Sequence, residues 1–98
     1  MCGIIGISSN KSVSANIINS LKKLEYRGYD SAGIATLSDG VINEFKSEGR
    51  VDSLEKNFDL KNLKGNIGIG HVRWATHGAP NSINAHPHSS HNVSVVHN

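Results

Sequence analysis

Apolar and polar positions along the chain change period several times, and each change marks an element. Residues 3–7 form a short apolar run that reads as a buried strand. Over residues 11–24, Val13, Ile17, Leu21 and Leu24 recur at helical spacing, with Ile18 and Ala15 widening the stripe. This predicts one helix packed on one face, with Ser12 or Ser14 able to cap its start. The period breaks at Tyr26-Arg27-Gly28-Tyr29-Asp30-Ser31, a polar, turn-forming stretch, and resumes as a strand over residues 33–37. Asp39-Gly40 between two apolar-patterned runs is a strong hairpin signal, so residues 41–46 should return antiparallel. Val51, Leu54 and Phe58 outline a short helix starting at Val51 or Asp52. Residues 66–72 read as a strand interrupted by glycines, and residues 74–90 as a long loop carrying Gly78, Pro80 and Pro87. Residues 92–97 alternate as a last strand.

Composition narrows the class. A chain of 98 residues supports one thin core. Its net charge of +2 and pI of 8.9 come from scattered lysines, with no basic run and no aromatic interleaving, which argues against a nucleic-acid surface. No stretch approaches the ~20 apolar residues of a membrane span, and the first residues have neither a basic segment nor an apolar run suited to a secretory signal. The cytoplasm is the default compartment, and a single cysteine makes no internal disulfide. The last strand stops without a turn, cap or polar tail, so residues 1–98 are expected to be part of a larger domain.

Candidate chemistry gathers at the two ends and in one central segment. Removal of Met1 would leave Cys2, the only cysteine, with a thiol and a free α-amine on one residue. Unperturbed, these titrate near ~8.5 and ~7.7–8.0, so the amine can take the thiol proton at little cost. The competing reading is a small hydrophobe opening a strand. In the segment from Gly70 to Gly78, the planar guanidinium of Arg73 suits bidentate recognition of a carboxylate, and Thr76 and His77 add donors beside it. A solvated arginine next to a tryptophan covering a core edge is the alternative. Asn98 could aim an amide N–H at a developing oxyanion, or could be a turn residue. His77, His86, His88 and His91 raise a metal-binding module as a reading of a different class. No second cysteine, nearby carboxylate or helical i, i+4 pair supports it. Gly68-x-Gly70 lacks the third glycine and following helix of a dinucleotide-binding loop.

Taken together, these segments carry a resemblance. Cys2-Gly3-Ile4-Ile5-Gly6, the run from Leu24 to Gly33, His71-Val72-Arg73-Trp74-Ala75-Thr76-His77-Gly78, Asn84-Ala85-His86-Pro87-His88 and Val96-His97-Asn98 are similar to the class II glutamine amidotransferases. The Met-Cys-Gly start is shared across that class. Tyr-Arg-Gly-Tyr-Asp-Ser-Ala-Gly with Arg-Trp-Ala-Thr-His-Gly resembles the hexosamine branch, the glutamine:fructose-6-phosphate aminotransferases. Amidophosphoribosyltransferases, the same-class alternative, typically show glutamine at the position of Tyr29 and a tyrosine-serine pair at Trp74-Ala75.

The resemblance implies an α+β fold, the N-terminal part of an N-terminal-nucleophile (Ntn) hydrolase sandwich. That sandwich has four αββα layers with antiparallel sheets, and it would be incomplete in this chain. It implies Cys2 as nucleophile toward L-glutamine and Asn98 as oxyanion donor. Arg73, Thr76 and His77 would grip the glutamine α-carboxylate, and Trp74 would lie in a closing loop. Gly78, Arg27 and His86 would support the site. No cofactor or metal is implied. Fructose 6-phosphate would bind through sugar-phosphate isomerase domains outside these residues, and the whole enzyme would be a homo-oligomer. The piece alone is expected to be inactive and, with sheet edges unpaired, to aggregate or stay partly unfolded.

Overall fold

The computed structural model describes residues 1–98. Six strands and two helices follow in the order β1 (Gly3–Ser8), α1 (Ser14–Leu24), β2 (Ser31–Ser38), β3 (Val41–Glu48), α2 (Val51–Asn57), β4 (Ile67–Arg73), β5 (His88–Ser90) and β6 (Val93–Val95). A 3-10 turn, Glu25–Arg27, extends α1. The first four strands form an antiparallel sheet in the order β1-β4-β2-β3, and β5 pairs with β6 as a separate hairpin. The architecture is α+β, as the resemblance implies.

Strand alternation gives the sheet two faces. The register sets Ala32 opposite Val72 and Ile34 opposite Gly70, and these positions turn toward the helices. There Ile17 and Leu21 of α1 and Val51 and Leu54 of α2 complete the core, all fully buried. Helix α1 lies close enough to the sheet that a Cβ on Gly70 would stand 2.7 Å from Ile17 Cγ2, which explains the glycine-interrupted strand without any phosphate loop. The opposite face carries Gly33 opposite His71 and Ala35 opposite Ile69, and it receives the segment leading into β5.

Several expectations shift. The run over residues 3–7 is a strand, but β1 is an edge strand and only Gly3 in it is buried; Ile4 remains 42% exposed. Helix α1 begins at Ser14, not in the stretch from Lys11, and neither serine caps it. The Ser12 and Ser14 hydroxyls both donate to the Leu63 carbonyl at 3.2 Å, tying the helix start to the loop before β4. Ala15 is exposed: it lies about 200° around the helix from Val13, outside the buried stripe. The Asp39-Gly40 turn has both residues at positive φ, 52° and 75°, as a tight two-residue hairpin requires. The expected long loop gives up residues 88–90 to β5, and the last strand contracts to Val93–Val95. Periodicity misses such three-residue strands because their side chains are largely exposed.

Candidate active site

Cys2 immediately precedes β1, and three distant parts of the chain converge on it. Its backbone N–H donates to Asn98 Oδ1 at 3.0 Å. Met1 is still attached, so this N–H stands where the α-amine would be after Met1 is removed. The Trp74 peptide brackets the sulfur: its N–H points at Sγ at 3.4 Å, and its carbonyl lies 3.9 Å from it. Arg27 Nε donates to the Cys2 carbonyl at 2.9 Å, while its Nη2 lies 3.5 Å from the Met1 sulfur. Cys2, Gly3, Ile4, Leu24, Tyr26, Arg27 and Asn98 line a shallow open depression around the thiol.

The loop after α1 seats the end of β4 against this thiol. A Cβ on Gly28 would stand 2.6 Å from both Arg73 C and Trp74 N, so only glycine permits the two backbones to approach this closely. Asp30 holds the same segment twice: its N–H donates to the Arg73 carbonyl at 3.0 Å, and its Oδ2 accepts the Ala75 N–H at 2.8 Å. Sequence reasoning quoted Gly28 and Asp30 inside a motif without giving either a role. Neither role could be read from the sequence, because each depends on the end of β4 being brought against the loop after α1.

Arg73 is nearly buried, at 7% exposure, and folds back on its own loop. Its Nη1 donates to the Ala79 carbonyl at 2.9 Å and its Nη2 to the His77 carbonyl. Nε and the remaining N–H bonds of the fork stay available for a ligand. The turn it braces includes Gly78 at φ 77°, packed on the Asn84 amide, which itself donates to Ala79 O at 3.0 Å. Thr76 and His77 are exposed beside this turn, and Trp74, whose backbone meets the thiol, is 48% exposed. His86 does not touch Cys2. It stacks on His71, with ring centroids 4.3 Å apart and planes 17° apart, and it meets His88 at 4.5 Å in a tilted contact.

Two histidines have displaced pKa values, both downward. Burial is the main cause for His71, opposed by its hydrogen bond to the His97 carbonyl and assisted by the Arg73 cation and by His88 and His97. Burial likewise leads for His86, followed by repulsion from His71, His88, Arg73 and His97, and brings it from 6.5 to about 4. Both rings are therefore neutral near pH 7. Stacking face to face and face to edge, the histidines do not converge on a point, and no group of three or more His, Cys, Asp or Glu side chains is arranged to hold a metal ion.

No family model matches the chain. Solved structures do: glutamine phosphoribosylpyrophosphate amidotransferase from B. subtilis superimposes with a TM-score of 0.78 and 28% identity, covering 96% of this chain and 20% of that one. The allosteric regulatory enzyme of purine biosynthesis gives a TM-score of 0.77 and 29% identity over 89% of this chain and 18% of its own. This is the fold of an Ntn-hydrolase glutamine amidotransferase domain. Among curated relatives, glutamine-fructose-6-phosphate aminotransferase (isomerizing) of Clostridium acetobutylicum is 56% identical across the whole chain. The protein of the same name from Brucella abortus biovar 1 is 55% identical. The chain spans 16% of the length of either relative. The residues gathered at Cys2 come from the segments that carry the resemblance.

Proposed function

We propose that the longer protein containing this amidotransferase domain makes D-glucosamine 6-phosphate and L-glutamate from D-fructose 6-phosphate and L-glutamine, with residues 1–98 forming part of its nitrogen-releasing half. The observation that carries the proposal is the convergence of Asn98, the Trp74 peptide and Arg27 on Cys2. After removal of Met1, the Cys2 α-amine takes the thiol proton and Sγ attacks the side-chain amide carbon of glutamine. The resulting oxyanion is met by the Asn98 side-chain N–H. This is compatible with the amide's other end, Oδ1, facing the Cys2 nitrogen at 3.0 Å. The amine returns its proton to the leaving nitrogen, ammonia departs, and a γ-glutamyl thioester remains. Water then adds to the thioester carbon, glutamate leaves, and the thiol is regenerated.

Arg73, with Thr76 and His77, grips the glutamine α-carboxylate through donors that the His77 and Ala79 carbonyls leave free. Gly78 shapes the turn and Trp74 closes over glutamine, excluding water. Arg27 fixes the Cys2 backbone, and His86 supports the site from behind. Fructose 6-phosphate is bound by parts of the longer protein outside these residues, and that protein is a cytoplasmic homo-oligomer. No helix here is long and apolar enough to cross a membrane.

The test is glutamate release from L-glutamine by the full-length protein, comparing the parent with Cys2→Ala and Cys2→Ser, with and without fructose 6-phosphate. Release that needs Cys2 and rises with the sugar phosphate is the expected result. Release that needs Cys2 but ignores the sugar phosphate would assign a different acceptor. No release from a folded protein that has lost Met1 would overturn the proposal.

A further inference from the structure

Asn98 faces Cys2 from a stretch that secondary structure does not hold. β6 ends at Val95, and none of the backbone–backbone hydrogen bonds outside helices and strands reaches residues 96–98. What fixes this end is a pair of histidine rings. His71, in the centre of the sheet and fully buried, has its Nε2 at 2.8 Å from the His97 carbonyl oxygen. A carbonyl oxygen only accepts, so Nε2 carries the proton, and Nδ1 of the neutral ring is left as a buried acceptor without a partner. His86 stacks on the far side of that ring, and its Nδ1 accepts the His97 N–H at 3.2 Å. The two rings therefore hold both polar groups of the His97 backbone, and the carbonyl held by His71 belongs to the peptide bond that leads into Asn98.

The sheet is shaped to receive this arrangement. Gly33 pairs with His71 across β2 and β4, and a Cβ there would clash with the His86 carbonyl oxygen, so the absent side chain is what lets His86 and Pro87 settle beside His71. Swapping the His71 proton to Nδ1 would remove the donor to His97. Protonating His86 at Nδ1 would remove the acceptor. The charged and titratable groups around the two rings, Arg73, His88 and His97, all disfavour added positive charge.

We propose that His71 and His86 are positioning residues which, as a stacked pair gripping the carbonyl and N–H of His97, set the Asn98 amide against Cys2. This rests on the function proposed above and adds a role for His71 and a defined one for His86. Neither ring touches Cys2, so each acts through the His97 backbone. Because glutamine is gripped elsewhere, at Arg73, Thr76 and His77, loss of the pair lowers kcat and leaves KM for glutamine nearly unchanged.

The test uses variants of the full-length protein that differ in which ring nitrogen they imitate. The amide nitrogen of His71→Gln sits where Nε2 donates, whereas His71→Leu offers no donor. The amide oxygen of His86→Asn sits where Nδ1 accepts, whereas His86→Leu offers no acceptor. The Leu variants should lose about 10²-fold in kcat at constant KM, the scale of a small misplacement of a catalytic group. The amide variants should recover most of that loss. Equal loss in the Leu and amide variants, or a loss carried by KM, would overturn the proposal.

Nitrogen NMR of selectively labelled histidine supplies a readout that does not need turnover or a folded variant. His71 should appear as the neutral Nε2–H form with slow exchange between pH 8 and pH 7. A Nδ1–H form or a doubly protonated ring in that range would overturn the proposal whatever the kinetics. A parent protein that releases no glutamate but shows the expected ring would overturn the function above and leave the histidine clamp standing.

Discussion

The backbone N–H of Cys2 donates to the side-chain oxygen of Asn98 over 3.0 Å, joining residues 96 positions apart. That contact uses one end of the amide and leaves the other free to donate. Asn98→Ala removes both ends, while Asn98→Asp keeps an oxygen for Cys2 but supplies no N–H. Both should lose about 10²–10³-fold in kcat for glutamine hydrolysis, the usual effect of removing one oxyanion donor. Steady-state kinetics on the two variants checks this. An active Asn98→Asp protein would shift the amide's role from the oxyanion to the Cys2 nitrogen.

Asp30 is the support of the segment over the thiol. Asp30→Ala leaves the Ala75 N–H without its acceptor and should destabilise by about 1.5–3 kcal/mol, the range for a hydrogen bond to a charged group. Asp30→Asn keeps an oxygen in place and should cost less. Denaturant midpoints measure the stability, and KM for glutamine should rise in the same order as Trp74 to His77 loosen.

Gly28→Ala brings a methyl group to 2.6 Å from backbone atoms that cannot rotate away. Overpacking of this kind costs about 1–3 kcal/mol, and here the strain falls on the Arg73–Trp74 peptide itself. Slower alkylation of Cys2 by a small thiol reagent, together with a lowered unfolding midpoint, is the expected pair of results. An unchanged alkylation rate would mean that the peptide does not govern access to the sulfur.

Stability should depend on pH through His86. Its folded-state pKa lies below its unfolded value, about 4 against 6.5, so the unfolded chain takes up the proton first on acidification. The neutral ring's contribution is fully present above pH 6.5 and is lost progressively as pH falls toward 4. Unfolding midpoints measured across that window should decline in the parent and decline less in His86→Asn. Parallel curves would remove His86 from the account.

One ion pair should matter little. Lys22 Nζ and Glu55 Oε1 lie 2.7 Å apart and link α1 to α2, with side chains 41% and 40% exposed. Exposed pairs are offset by side-chain ordering and screened by salt. Glu55→Gln should leave the unfolding midpoint within measurement error, at low and at high salt alike.

How much of this was legible in the sequence depended on which force wrote the signal. Hydrophobic burial leaves periodicity, so the stripe of Val13, Ile17 and Leu21, the Asp39-Gly40 hairpin and the helix at Val51 were readable with small boundary errors. Ala15 misled because its apolar character says nothing of the angle at which it sits. Ser12 and Ser14 misled because a hydroxyl able to cap a helix can equally bond a distant carbonyl, here that of Leu63. At the site, Cys2 and Arg73 could be singled out from their own chemistry. His71, Asp30 and Gly28 could not, because their parts depend on register across strands and on backbones from opposite ends of the chain.

The joining of Cys2 to Asn98 also sets a schedule. During synthesis the thiol emerges first and its amide partner 96 residues later. Until then the Cys2 N–H lacks the Asn98 side chain, although Trp74 beside the sulfur has already been made. The contact at the Cys2 nitrogen therefore closes only once residue 98 has been made and has docked beside the sheet, so a chain stopped short of it keeps the cysteine at its start and loses this partner.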